Sequence, residues 1–63
     1  MASPVRYAKV KTLLERHGWE LKRVSGSHHI FKKPADRDWS IPVHNKKVKA
    51  EYVRQIKKYV GEE

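Results

Sequence analysis

The chain has 63 residues, with 15 lysines and arginines against seven acidic residues, and it contains no cysteine. A chain this short is expected to form one domain over residues 1–63, and its small core excludes a deep cofactor cavity or a second lobe. The lack of cysteine excludes disulfides, thiolate zinc sites and cysteine nucleophiles. Because no apolar run could span a membrane and no leader pattern opens the chain, we expect a cytoplasmic location without membrane contact.

The formal net charge of +8 predicts a polyanionic partner, with nucleic acid as the leading candidate. Residues 1–34 carry eight basic and two acidic side chains, whereas residues 35–63 carry seven and five. The first half should therefore hold more of the binding surface. The alternative is that the basic surface serves only to keep a small protein soluble.

The first predicted elements are a helix and a β-hairpin. Ser3-Pro4 is a helix-start signal, and apolar residues recur at spacings of three and four from Tyr7 to Gly18. Residues 19–24 and 28–33 then alternate in type on either side of the turn cluster 25–27, which is typical of a hairpin.

A third strand and a second helix complete the predicted fold. A turn at 34–38 precedes the short alternating strand 39–43, and Pro42 should place that strand at a sheet edge or break its pairing there. Residues 44–47 read as a polar loop, and apolar residues at helical spacing follow from Tyr52 to Gly61. We therefore predict an α+β fold in the order α-β-β-β-α, with a three-stranded antiparallel sheet and both helices on one face.

The register of the hairpin decides which side chains share a sheet face. A three-residue loop at 25–27 sets Lys22 opposite Ile30 and Glu20 opposite Lys32, whereas a two-residue loop would bring Phe31 beside Lys22. We therefore favour the three-residue loop. The predicted core face then carries Trp19, Leu21, Phe31, Trp39, Ile41 and Val43, and the open face carries Lys22, His28, Lys32 and His44.

A histidine on a cationic face suits one reaction in particular. RNA carries its own nucleophile, the 2′-OH, so its cleavage needs a base, an acid and cations for the developing charge. Histidine can take either proton role near neutrality. We expect no metal or other cofactor, because Asp36 and Asp38 lie in a turn with no histidine at ligand spacing. His17 and His29 are better explained as structural residues.

Three segments of the chain carry a specific resemblance. The stretch Gly26-Ser27-His28-His29-Ile30-Phe31, the preceding Leu14-Glu15-Arg16-His17-Gly18-Trp19-Glu20-Leu21, and Ile41-Pro42-Val43-His44 together resemble the HicA family of toxin ribonucleases. The similarity runs from about Tyr7 to Gly61. Residues 49–52 depart from the family pattern, which leaves the start of the last helix open.

The resemblance implies a fold like that of double-stranded-RNA-binding domains and metal-independent cleavage of mRNA. It implies that His28 is the catalytic residue and that Gly26 and Ser27 shape the turn presenting it. His44 matches the family's Pro-x-His segment, and we expect a supporting role for it. A HicB-like antitoxin protein is the implied partner besides RNA.

The hypothesis of an endoribonuclease toxin gives Lys22 and Lys32 the task of holding the RNA backbone. The main alternative is a non-catalytic double-stranded-RNA-binding module, for which the fold and the charge suffice. DNA binding by a helix-turn-helix fits less well, because three strands separate the two helices.

Overall fold

Two helices flank a run of short strands in the computed structural model of the chain, which describes residues 3–62. In chain order the elements are β1 (Val5–Arg6), α1 (Tyr7–Arg16), β2 (Glu20–Ser25), β3 (His28–Lys32), β4 (Trp39–Pro42), β5 (Lys47–Val48) and α2 (Ala50–Val60). Strands β2, β3 and β4 form an antiparallel sheet in that order. The predicted α+β fold is confirmed, and it broadly matches the double-stranded-RNA-binding-domain order.

A single domain is expected over residues 1–63, and the structure describes all of that range except its two ends. Met1, Ala2 and Glu63 lie outside the described residues. Within residues 3–62, no helix is long and apolar enough to cross a membrane.

The core lies between the helices and one face of the three-stranded sheet. Its buried side chains are Val10, Leu13, Leu14, Trp19, Phe31, Trp39, Ile41, Val48, Val53 and Ile56. Each large apolar side chain buried in this way stabilises the fold by about 1.5–3 kcal/mol. The predicted core-facing residues are found here, with Leu21 and Val43 partly buried against the cluster.

The predicted three-residue hairpin loop is wrong. Ser25 pairs with His28, so that only Gly26 and Ser27 form the turn between β2 and β3. The φ of Gly26 is +59°, whereas the φ of Ser27 is not positive. This combination fits a type II′ hairpin turn, which has glycine at its first central position.

A β-bulge at Lys22 explains why the shorter loop is compatible with a packed core. Arg23, not Lys22, lies opposite Ile30, and the register then shifts by one residue so that Leu21 faces Phe31. Without this shift a two-residue loop would turn Leu21 away from the core face. The predicted pairing of Glu20 with Lys32 is confirmed.

The first helix begins later than the Ser3-Pro4 signal predicts. Val5 and Arg6 are extended and pair with Lys47 and Val48, so the small sheet of β1 and β5 precedes the first helical turn at Tyr7. The second helix runs from Ala50 to Val60, and the left-handed φ of +80° at Gly61 terminates it at the predicted position. The β1–β5 pair holds the start of α2 near the start of α1.

Candidate active site

An open cleft of about 550 Å³ lies at the end of the sheet where the β2–β3 turn meets the start of α2. Its walls come from the N-terminal segment, from the β2–β3 turn with the start of β3, and from the stretch between the end of β4 and the first turn of α2. The lining residues are Pro4, Ser27, His28, Pro42, His44, Asn45, Lys47, Lys49 and Tyr52. The cleft therefore brings together three of the predicted site residues, Ser27, His28 and His44.

His28 owes its position to the hairpin turn. It is the first residue of β3, directly after the turn residues Gly26 and Ser27, and its side chain is exposed. Gly26 does not line the cleft, but its positive φ is the conformation that the turn requires. A Cβ at this position would meet no atom within 4 Å, so the backbone angle alone accounts for glycine.

The ladder between β3 and β4 places Pro42 next to His28. The N–H of Val43 donates to the carbonyl of Ser27 at 2.8 Å, and His28 lies opposite Pro42 one step further along. Because hydrogen-bonded and non-hydrogen-bonded pairs alternate in an antiparallel ladder, His28 and Pro42 form a non-hydrogen-bonded pair. The predicted edge position of the strand is confirmed, but Pro42 does not break its pairing.

His44 opens a tight turn where the sequence predicted only a polar loop. The N–H of His44 donates to the carbonyl of Lys47 at 3.0 Å, and the reverse bond measures 2.9 Å. Asn45 and Lys46 both have positive φ, 53° and 61°, as a type I′ turn demands. The N–H of Tyr7 also donates to the Lys46 carbonyl at 2.8 Å, which ties the turn to α1.

The charge of the cleft suits an anion. Its lining includes two lysines and two histidines but no carboxylate. Among residues 3–62, the acidic partners in ion pairs are Glu20, Asp36, Asp38 and Glu62, and none of them pairs with Lys47 or Lys49. Two cations with no acidic partner in the described chain, next to two exposed imidazoles, form a surface that attracts a phosphate group.

Three side chains that line the cleft, Lys47, Lys49 and Tyr52, were not singled out from the sequence. The charge distribution placed the binding surface mainly in the first half of the chain, whereas these three side chains come from the second half. The only sequence signal that could have found them is the polar run after Pro42, read as a tight turn rather than as a loop.

Lys22 and Lys32 do not line the cleft. Lys32 is on the same face of β3 as His28 but four residues further along, a distance of about 13 Å in an extended strand. Its ammonium lies 3.7 Å from Asp38, and that of Lys22 lies 3.1 Å from Glu20. Both lysines are more than half exposed, so these pairs contribute little to stability.

The other two histidines are engaged elsewhere. The ring of His29 is half-buried with its centroid 4.5 Å from that of Tyr7. His17 ends α1 and bonds to the carboxylate of Glu62, which Arg16 also contacts. The hydrogen bond from His17, together with the charge of Arg16, lowers the pKa of Glu62. Within residues 3–62, no three histidine, aspartate or glutamate side chains cluster closely enough to hold a metal ion.

Comparison with known proteins agrees with the resemblance seen in the sequence. The family model described as the HicA toxin of bacterial toxin–antitoxin systems matches residues 7–61. No curated protein matches the chain. The family match covers the helices, the three-stranded sheet and all lining residues of the cleft except Pro4. The chain therefore belongs to the HicA toxin family of bacterial toxin–antitoxin systems.

Proposed function

We propose that this protein is an endoribonuclease toxin that cleaves mRNA by metal-independent acid–base catalysis, with His28 as a catalytic residue. The observation that carries the proposal is the position of His28 in a cationic cleft that has no carboxylate in its lining. RNA supplies the nucleophile itself, so the protein needs to move protons and stabilise charge but not to activate a water molecule.

In the proposed reaction the 2′-oxygen attacks the adjacent phosphorus. The O2′–P bond forms, the P–O5′ bond breaks, and the products are a 2′,3′-cyclic phosphate and a 5′-hydroxyl. One proton leaves the 2′-OH and one proton reaches O5′, and His28 transfers one of them. Lys47 and Lys49 stabilise the negative charge that develops on the phosphoryl oxygens.

The rest of the cleft offers contacts to the substrate on either side of the phosphate. Tyr52 is half-buried and lines the cleft, where its ring can stack on an unpaired base. Ser27 supplies a hydroxyl beside His28. Further along the open face, Lys32 and Lys22 hold the RNA backbone, since their weak ion pairs can be exchanged for phosphate contacts.

A HicB-like antitoxin is the proposed protein partner. Because the cleft is cationic, an antitoxin that neutralises the toxin is expected to cover it with acidic groups and so exclude RNA. The substrate places the activity in the cytoplasm, where mRNA is translated.

The experiment compares purified wild type with His28→Gln on a defined single-stranded RNA in the presence of a chelator. We expect cleavage by the wild type to 2′,3′-cyclic phosphate ends, and a loss of about 10²–10⁴-fold in rate for the variant. The matched control is His17→Gln, a histidine outside the cleft, which should cleave at the wild-type rate. Equal rates for His28→Gln and wild type would remove His28 from the reaction.

The second candidate is a non-catalytic module that binds double-stranded RNA. It is favoured by the order of helices and strands and by the net charge of +8. The same experiment separates the two functions, because a binding module leaves RNA intact at saturating protein. A duplex and a single strand of the same sequence then show which form is bound more tightly.

A further inference from the structure

We infer that His44 is the second proton-transfer residue of the proposed ribonuclease reaction, so that His28 and His44 divide the roles of base and acid. This inference rests on the proposed function. It starts from the juxtaposition of these two histidines in one cleft, which two different pieces of local structure produce.

The backbone places the two side chains on one face. Pro42 lies opposite His28, and His44 follows Pro42 by two residues, so that alternation of side chains puts His44 on the face of His28. Diagonal neighbours of this kind in an antiparallel ladder have Cα atoms about 7–8 Å apart, which is within reach of long side chains. Because both side chains also line one open cleft, a phosphodiester bound there can meet both imidazoles.

The geometry of the reaction calls for two proton-transfer groups. In an in-line displacement the attacking and leaving oxygens lie on opposite sides of the phosphorus. One histidine cannot reach both oxygens in the same step, so a lone His28 leaves one of the two proton transfers without a protein group. His44 lines the same cleft, and histidine is the residue type suited to the other transfer near neutral pH.

Both imidazoles are available, and the backbone of His44 is held in place. Among the described residues no side-chain hydrogen bond or ion pair engages either His28 or His44, in contrast to His17, whose ring bonds to Glu62. The backbone of His44 is fixed by the paired bonds to Lys47. A proton-transfer residue needs this combination of a free ring and an ordered backbone.

The proton balance is complete with these two residues. The neutral histidine takes the proton of the 2′-OH as O2′ attacks, and the protonated histidine gives its proton to O5′ as the P–O5′ bond breaks. The two rings end with their protonation states exchanged, and exchange with solvent restores them.

The experiment uses one RNA oligonucleotide with a single cleavable linkage, made with either oxygen or sulfur at the bridging 5′ position. A thiolate leaves without a proton, so the sulfur substrate no longer needs the acid. Wild type, His28→Gln, His44→Gln and the control His17→Gln are assayed on both substrates over a range of substrate concentrations up to saturation, which gives kcat and KM for each. Thermal unfolding of each variant verifies that the fold is retained.

We expect His44→Gln to lose about 10²–10⁴-fold in kcat on the oxygen substrate. We also expect the sulfur substrate to restore one of the two cleft variants and not the other, which identifies the acid. The inference is overturned if sulfur restores neither variant, or if His44→Gln raises KM with kcat unchanged. If wild type cleaves neither substrate, the proposed function itself fails, a result distinct from a defect confined to His44.

Discussion

His28 and Pro42 face each other on adjacent strands at a position where the ladder makes no hydrogen bond. The side chains of such a pair stand closer than in a hydrogen-bonded pair, with Cα atoms about 4.5 Å apart. The ring of Pro42 therefore forms a rigid wall beside the imidazole. The N–H that proline lacks would have pointed to the free edge of β4, so its absence removes no hydrogen bond between β3 and β4.

This arrangement predicts that proline is tolerated at position 42 but destabilises the protein at position 43. Pro42→Ala should lower the free energy of unfolding by only about 0.4–1 kcal/mol, through the greater freedom of the unfolded chain. Val43→Pro should cost about 1–3 kcal/mol, because it removes the 2.8 Å bond to the Ser27 carbonyl. Urea unfolding of both variants measures the difference. Equal losses would mean that the ladder does not continue past Pro42.

The contact between Tyr59 and Asp36 predicts a pH dependence of the free energy of unfolding. The hydroxyl of Tyr59 donates to Asp36 at 2.6 Å, and this bond, followed by the one from the Arg37 N–H, lowers the pKa of Asp36. A carboxylate with a lowered folded-state pKa stabilises the fold above its unfolded pKa, and that contribution disappears as pH falls through the folded pKa. Tyr59→Phe should therefore destabilise the protein at neutral pH and progressively less in acid.

The measurement is urea unfolding of wild type and Tyr59→Phe from neutral pH into the acid range. Asp36→Asn, alone and combined with Tyr59→Phe, completes a double-mutant cycle that isolates the pair. A constant difference between wild type and Tyr59→Phe at all pH values would show that the charge of Asp36 is not involved.

The hairpin shows what the sequence can and cannot predict about this fold. Period-two alternation is enough to identify the strands and the core residues Phe31 and Ile41, because burial on one face demands it. The bulge at Lys22 leaves no such signal, since Lys22 and Arg23 both suit an exposed strand. An unbroken alternation therefore led to the wrong loop, although glycine at the first turn position is the usual mark of a type II′ turn.

The cleft was predictable to a similar extent. His28 and His44 could be placed on one face by counting residues from the turn and from Pro42. The contribution of Lys47 to the cleft could not be predicted. In the type I′ turn that precedes it, Lys46 occupies a left-handed position where glycine is the expected signal. The two-residue strands β1 and β5 are too short to show any periodicity, yet they position the start of α2 and hence Tyr52.

The four lysines of the open face and cleft predict a graded salt dependence of RNA binding. For single-stranded RNA, each lost phosphate contact should reduce the slope of log affinity against log salt by about 0.7. We expect this reduction for Lys47→Gln and Lys49→Gln, each with a slower cleavage rate. Lys22→Gln and Lys32→Gln should reduce the slope with little change in kcat, because they lie outside the cleft.

Binding is measured by titration of a labelled RNA over a range of salt concentrations, using the His28→Gln protein so that no cleavage occurs. Lys58→Gln, an exposed lysine on α2 outside the cleft, serves as the matched control. A wild-type slope for both Lys22→Gln and Lys32→Gln would confine the RNA to the cleft and remove these two residues from the binding surface.

Tyr52 predicts a preference for unpaired bases at the site of cleavage. Stacking of one base on an aromatic ring is worth about 1–3 kcal/mol. Tyr52→Leu should therefore weaken RNA binding by about 5- to 150-fold. Tyr52→Phe keeps the ring and should bind as the wild type does, since stacking does not use the hydroxyl. Fluorescence titration in the His28→Gln background measures these affinities.

The same pair of variants distinguishes stacking from a purely structural role of Tyr52, which packs partly against the core. Loss of core packing would lower the free energy of unfolding of Tyr52→Leu and would weaken binding to single-stranded and duplex RNA equally. Loss of stacking would weaken binding to the single strand alone, because the bases of a duplex are not free to stack on the ring. Equal affinities of Tyr52→Leu and Tyr52→Phe for single-stranded RNA would contradict the assignment.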